Sequence, residues 1–359
     1  MNPRLSHDST RSRVLLPALF GLLALWVPPA HAALLNVRDY PSPAAAIAAA
    51  RDGDRVWFPS PGPYAAPPGG FLISKSLELF GDGMGNGLTG ASSVVPDRDG
   101  NAFVLDSTVT LHNIHVHDLL VIRTGDAPGS RAALRLALPE SGEHKLSGLR
   151  IERVAFVNLA GDAIALEGGA QSAILLVSIT DCEANSCRGN GITLRHTTTT
   201  TVMNGYYHDS DGFGLYAEAA GVRLIGAAFE HNQLAGTNSD YHAQVRLKLC
   251  HGFTVLGCHF EEFASESRPA RTALTLESCR GGQVASSLFV KNGAGVRGSR
   301  GVLILGGSRD VDIGANSWSF VDTLVAIRGA NANPGCIVRR QSPLKADARA
   351  PGIVQGASP

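Results

Sequence analysis

Two cations and a run of proton-carrying groups lie close together near the middle of the chain. Asn238-Ser239-Asp240-Tyr241-His242 is a polar loop, and Val245-Arg246-Leu247-Lys248-Leu249 follows it as a short strand. Side chains alternate along a strand, so Arg246 and Lys248 share one face. Tyr241, His242, Arg246 and Lys248 are groups that can take a proton from a carbon acid or hold the negative charge that develops on it. Asp211, in the earlier run Tyr206-Tyr207-His208-Asp209-Ser210-Asp211-Gly212, and Asp240 could hold Ca²⁺, which takes oxygen ligands. Arg195, Tyr216, Glu218, Arg268, Arg271 and Glu277 are candidates for holding a substrate beside them.

These residues come from separated stretches, so a scaffold must bring them together. From Gly148 on, the sequence repeats an aliphatic residue followed five places later by a bulky one. The pairs are Ile151/Phe156, Val177/Cys182, Val202/Tyr207, Leu224/Phe229, Val255/Phe260, Val284/Phe289 and Ile313/Trp318, and Leu111/Val116 reads as a degenerate earlier copy. The bulky positions recur every 22 to 31 residues, a period that with short strands signals a solenoid. Each copy adds a third strand with two inward positions: Ile164/Leu166, Ile192/Leu194, Leu215/Ala217, Val245/Leu247, Leu274/Leu276, Leu303/Leu305 and Val325/Ile327. Three short strands per turn and no long helix predict an all-β, single-stranded parallel β-helix solenoid. Its coils stack about 4.8 Å apart, with Phe156, Phe229, Phe260, Phe289 and Trp318 as an internal ladder.

Stacking turns spacing into columns. One outward column of the third strand reads Glu167, Arg195, Glu218, Lys248, Glu277, and its neighbour reads Ala165, Thr193, Tyr216, Arg246, Thr275. The charged column is either a solvated ladder of weak surface pairs or a polar floor along which a sugar chain lies. A second column, Glu183, His208, Glu230 and Glu261, reads as a solvated stripe that could bind a cation. The turn before the third strand varies most in length, and variable loops on a rigid scaffold usually carry function. Cys250 and Cys279 also fall in register, within reach of a disulfide or of a reduced stack of small side chains.

The 359 residues are 44% hydrophobic and 17% charged with zero net charge. That composition builds a core and gives no reason to expect nucleic acid as a partner. Arg4, Arg11 and Arg13 precede an apolar run from Val14 to Val27, and Ala30-His31-Ala32 closes it. Residues 1–32 therefore read as a cleaved signal peptide rather than a retained anchor, with a secreted or periplasmic product and no membrane span after cleavage. Residues 33–53 read as an N-terminal cap with a short helix, because Ser42 suits an N-cap, Pro43 the first turn, and Asp52-Gly53 a stop. Residues 54–340 read as the β-helix and residues 341–359 as a loose tail.

At Ser42-Pro43-Ala44-Ala45-Ala46-Ile47, Gly53-Asp54-Arg55-Val56-Trp57-Phe58-Pro59, Ser76-Leu77-Glu78-Leu79-Phe80-Gly81 and coils such as Gly189-Asn190-Gly191-Ile192-Thr193-Leu194, the chain resembles the pectate-lyase-like superfamily of right-handed parallel β-helix proteins. The resemblance spans roughly residues 36–338, as judged by the repeat period. It implies a cleft on the third strand and the turn before it, and a polysaccharide as partner. It does not bring a catalytic set. The Asn-Thr-Asp, Asp-Asp and Arg-Ile-Lys motifs of polygalacturonases and the Asp-Pro-His block of mannuronan epimerases are missing, and Cys250-His251-Gly252 is a distant echo of Gly-His-Gly.

The expectation is an exported lyase or epimerase acting on a uronate-containing glycan. The proton at C5 of the sugar would go to Lys248, Arg246, Tyr241 or His242, with Ca²⁺ on Asp211 and Asp240 (and Glu218 as a further oxygen donor) or with the cations offsetting charge. Hydrolysis ranks lower: Glu218 and Glu277 stand two coils apart, about 9.6 Å, and Lys248 between them would depress a general acid. A non-catalytic glycan-binding or surface β-helix is the other reading.

Overall fold

The computed structural model describes residues 32–85, 90–124, 131–140, 142, 145–235, 243–263, 272–292, 299–328, 335–339, 341–343 and 353–356. One compact unit spans Ala33–Pro359. The signal-peptide reading rests on residues that, Ala32 apart, lie outside the described residues. Among the described residues no helix is long and apolar enough to cross a membrane.

The unit is a right-handed parallel β-helix. A 21-stranded sheet, here sheet A, carries the first and second strands of each coil, and an 11-stranded sheet B carries the third. Sheet B runs in coil order from Phe71–Ile73 to Ile353–Gly356, each strand parallel to the one above it. The corners come from single left-handed residues. Between the first and second strands these are Asp118, Arg153, Asp181, Asn204, Gly226, Gly257 and Ser286, one per coil, with φ between 49° and 64°. Only Gly adopts this conformation without steric cost. The coil-to-coil ladder continues through the bend, as in Asp181 N to Met203 O (3.0 Å) and Asn204 N to Ile225 O (3.0 Å). Paired backbone groups recover part of the strain at the non-Gly corners.

The interior is layered by register. Ile151, Ile179, Val202, Leu224, Val255, Val284 and Ile313 pair in sequence. Beside them Phe156, Ala184, Tyr207, Phe229, Phe260, Phe289 and Trp318 form the bulky column. Its rings stack at 5.3 Å (Tyr207–Phe229), 5.6 Å (Phe229–Phe260) and 5.0 Å (Phe260–Phe289), and all are buried. At the N-terminal end the helix Pro43–Ala49 packs on Arg55–Phe58 and Phe71–Ile73, burying Ala46 and Ile47. Ser42 Oγ caps it by accepting from Ala45 N (3.2 Å).

Four expectations are corrected. The second coil pairs Ile179 and Ala184, not Val177 and Cys182, with the columns on either side. The earlier copy is Val116/Val121, not Leu111/Val116. The inward pair of the strand Arg300–Leu305 is Val302/Ile304, not Leu303/Leu305. Residues 341–359 are not all loose tail, since Ser342–Pro343 and Ile353–Gly356 add a further layer to both sheets.

The six cysteines are free thiols, and most occupy corner positions that neighbouring coils fill with other small residues. Cys182 Sγ, Cys250 Sγ and Cys279 Sγ each donate to the carbonyl two residues back, at 3.3, 3.4 and 3.5 Å. Ser287 Oγ and Asn316 Nδ2 do the same at 3.1 and 3.0 Å. Burial pushes Cys182 and Cys187 up to about 12 and Cys258 up to about 11, so these thiols stay protonated.

Candidate functional site

The outer face of sheet B carries the charged column as expected. Glu167, Arg195, Glu218, Lys248 and Glu277 stand directly above one another on five successive strands. Their side chains are bonded along the column: Arg195 Nη1 to Glu167 Oε1 (3.3 Å), Arg195 Nε to Glu218 Oε2 (3.8 Å) and Lys248 Nζ to Glu218 Oε1 (2.7 Å). Arg246, one column over, reaches across to Glu277 Oε2 through Nη2 (2.5 Å).

The neighbouring column decides where a ligand can sit. Its members pair in order as Ala165, Thr193, Tyr216, Arg246, Thr275, Leu303 and Ala326. Ala165, Thr193, Thr275, Leu303 and Ala326 are buried although they face outward, whereas Tyr216 and Arg246 are half-buried; toward the N-terminus the same column continues through the half-buried Arg135 and Val104 to the exposed Leu72. Between the buried Thr193 and Thr275 this column opens at the coils of Leu215–Glu218 and Ala243–Lys248.

The opening has an aromatic wall. Phe213 stacks on Tyr216 at 5.6 Å with a 27° interplanar angle. Arg195 Cζ lies 5.7 Å from the Tyr216 centroid, and Arg246 Cζ 6.0 Å from those of Tyr216 and Phe213, within cation–π range. Tyr216 OH donates to Glu218 Oε2 (2.8 Å). Burial, and then the Glu218 carboxylate, push the phenol up to about 12, which keeps it a hydrogen-bond donor. Glu218 is lowered, first by Lys248, with Tyr216 adding to the effect against an opposing contribution from burial.

One group at the edge escaped the sequence reading. Asp162 stands in the column Asp162, Asn190, Phe213 that leads into the third strands. Its Oδ1 accepts from Asn190 N (2.7 Å) and its Oδ2 from Thr193 Oγ1 (2.5 Å). Asn190 Oδ1 in turn accepts from Phe213 N (2.8 Å). Burial raises Asp162, against the hydrogen bonds from Thr193 and Asn190, which lower it. The recurrent Gly-x before each strand, in Gly161-Asp162, Gly189-Asn190 and Gly212-Phe213, was the available signal.

Of the expected site residues, the fold brings together Arg195, Tyr216, Glu218, Arg246, Lys248 and Glu277. Asp240, Tyr241, His242, Arg268 and Arg271 lie outside the described residues. Asp211 is in the turn before Phe213, its amide donating to Cys187 O (2.8 Å). Lys248 Nζ and Tyr216 OH each donate to one oxygen of Glu218. A surface depression of about 440 Å³ over Asn113, His115, Arg150 and Ser178 lies on sheet A, away from this face.

The second outward column is also corrected. His208, Glu230 and Glu261 are in register, but Asn185 stands where Glu183 was expected, and Glu183 pairs with Tyr206 one column over.

Comparison with known proteins agrees with this architecture. Residues 141–317 match the family model described as right handed beta helix region. The A-module of the Azotobacter vinelandii mannuronan C-5 epimerase AlgE4 is similar in structure, with a TM-score of 0.59 and 15% identity over 90% of this chain and 100% of that one. A mutant DFA-IIIase from Arthrobacter chlorophenolicus A6 in complex with DFA-III gives 0.61 and 15% over 88% and 85%. The enzymatically active domain of bacteriophage CBA120 tailspike protein 2 gives 0.60 and 12%, covering 88% of this chain and 47% of that one. No curated protein sequence matches. The chain thus has the right-handed parallel β-helix fold.

Proposed function

We propose that the chain is an exported enzyme that binds an acidic, uronate-containing polysaccharide on the outer face of sheet B and removes the proton at C5, leading to β-elimination or epimerisation. The observation that carries this reading is the grouping of Tyr216 and Arg246 in the sheet B opening, walled by Phe213 and rimmed by Arg195 and Lys248. The C–H face of a sugar ring packs on an aromatic wall, and a guanidinium recognises its carboxylate. Losing the C5 proton spreads negative charge onto that carboxylate, and Arg246 and Lys248 are positioned to offset it. Tyr241 and His242, just before this strand in sequence, are the proposed bases, and Arg268 and Arg271 the proposed extension of the binding face. Ca²⁺ on Asp211 and Asp240 would add to the same charge stabilisation. A mannuronan C-5 epimerase module shares the fold, which supports a reaction of this kind.

The test is a panel of uronate glycans, followed by absorbance of the unsaturated product and by deuterium uptake at C5 in heavy water. Elimination gives the first signal and epimerisation the second. Neither signal on any acidic glycan, with or without Ca²⁺, overturns the proposal, and new reducing ends alone would point to hydrolysis.

One observation favours binding without turnover. Arg195, Arg246 and Lys248 already rest on Glu167, Glu277 and Glu218, as in a ladder that only holds a ligand. Saturable glycan binding with no product would establish that reading.

A further inference from the structure

On sheet A, away from the sheet B opening, three donor groups converge within ion-pair range but without a close hydrogen bond to one another. Glu230 and Glu261 are in-register neighbours on adjacent coils, and His259 lies in the next outward column beside them. One oxygen of each carboxylate is held from outside: Tyr206 OH donates to Glu230 Oε2 (2.7 Å), and Asn292 Nδ2 donates to Glu261 Oε1. The other oxygens turn to the imidazole, with Glu261 Oε2 3.5 Å from His259 Nε2 and Glu230 Oε1 3.7 Å from His259 Nδ1. Both separations are too long for good hydrogen bonds, and His259 Nε2 is buried with no hydrogen-bond partner.

We propose that Glu230, His259 and Glu261 form a binding site for a divalent first-row transition ion of the Zn²⁺ type. Two donors on a tetrahedral ion at about 2.0–2.2 Å stand about 3.3–3.6 Å apart, and Nε2 and Glu261 Oε2 are 3.5 Å apart. Glu230 Oε1 faces the other ring nitrogen, so it joins an ion on Nε2 through a rotation of its side chain; ligand atoms of all three residues lie within 4.8 Å of one another, wider than the finished coordination sphere. A ring nitrogen among carboxylates selects Zn²⁺, Co²⁺ or Ni²⁺ over Ca²⁺, which takes oxygen. Tyr206 and Asn292 act as the outer partners that orient ligating carboxylates. An ion here would tie together two adjacent coils.

The site is independent of the proposed reaction, and its test needs no substrate. Co²⁺ is titrated into the purified, untagged, chelator-treated chain, and its visible absorption is followed at neutral pH. The expected result is a spectrum that saturates at one equivalent, is displaced by Zn²⁺ and is untouched by a large excess of Ca²⁺. His259→Gln and Glu261→Gln are expected to abolish it, and Tyr206→Phe to weaken binding about 10–100-fold, with unchanged circular dichroism showing that the variants fold. No saturable spectrum, or the same spectrum in His259→Gln and Glu261→Gln, overturns the proposal.

Discussion

Lys248 Nζ stands 2.7 Å from Glu218 Oε1, although thirty residues of chain separate the two. The contact exists because the strands Leu215–Glu218 and Ala243–Lys248 are consecutive rungs of sheet B. The other Glu218 oxygen takes the Tyr216 hydroxyl, so one carboxylate fixes both a cation and a phenol at the edge of the opening. Under the proposed reaction the Lys248 charge acts on the substrate. Lys248→Ala is expected to lower turnover of the acidic glycan by about 10²–10³-fold. Its melting temperature should hardly move, since a partly exposed pair contributes under about 1 kcal/mol. Initial rates and thermal melts on the same preparations check this. A variant that melts normally and turns over at the wild-type rate removes Lys248 from the chemistry.

Much of this arrangement was legible in the sequence, and the failures have physical causes. The ladder Phe229, Phe260, Phe289 was readable because large rings recur at a nearly constant interval, and the charged column followed once that interval was known. The slip at Cys182 was invisible because a two-residue shift returns every side chain to the same face. The error at Leu303 has a different origin: Val302-Leu303-Ile304-Leu305 is apolar on both faces and offers no alternation to read. The slip at Cys182 displaced Glu183, and His259 was passed over because only the column of Glu230 and Glu261 had been followed. The opening at Tyr216 and Arg246 could not be read at all, since burial of Thr275 and Leu303 depends on the folded surroundings of the strand.

Asp118 and Arg153 are left-handed corner residues on adjacent coils and form a two-pronged ion pair, Nε to Oδ1 at 2.6 Å and Nη2 to Oδ2 at 2.9 Å. Arg153 first, then His117, hold the Asp118 carboxyl below its ordinary range against the opposing effect of burial. A lowered folded-state pKa stabilises the protein above the unfolded value of about 3.9. That contribution is lost as pH falls through the lower folded-state value. Asp118→Asn keeps a side chain that tolerates the left-handed backbone and removes the charge. It is expected to be less stable than wild type by about 1 kcal/mol or less at pH 7, with the difference closing in strong acid, below the lowered folded-state value. Denaturant melts at pH 7 and in strong acid measure it, and a gap that persists in acid would assign the loss to something other than charge.

Phe260 lies between Phe229 and Phe289, fully buried and nearly parallel to the second of them at 4°. Phe260→Ala opens a cavity in a column that cannot collapse without shifting both neighbouring coils. The expected cost is about 3–5 kcal/mol, read from urea denaturation. Leu256→Ala, on the outer face of the strand Thr254–Leu256 in the same coil, is expected to cost about 0.5 kcal/mol or less. Similar losses for both would mean that the ring stack is not what holds these coils together.

Cys250 and Cys279 sit one above the other at the corner after the third strand, both buried. Neighbouring coils lie about 4.8 Å apart, which is inside the Cα range that a disulfide accepts, so distance alone does not decide whether they bridge. The bonding pattern argues for thiols. Cys250 Sγ donates to Lys248 O (3.4 Å) and Cys279 Sγ to Leu247 O (3.2 Å), as Ser308 Oγ on the next coil donates to Leu305 O (2.8 Å). A bridge would remove both donors and leave buried carbonyls with fewer partners. Alkylation of the unreduced, denatured chain is therefore expected to add six labels. In the native chain Cys336, the one cysteine that is not buried, should react first. Four labels instead of six, with Cys250 and Cys279 unmodified, would show that the corner is oxidised and that the thiol hydrogen bonds do not outweigh the cross-link.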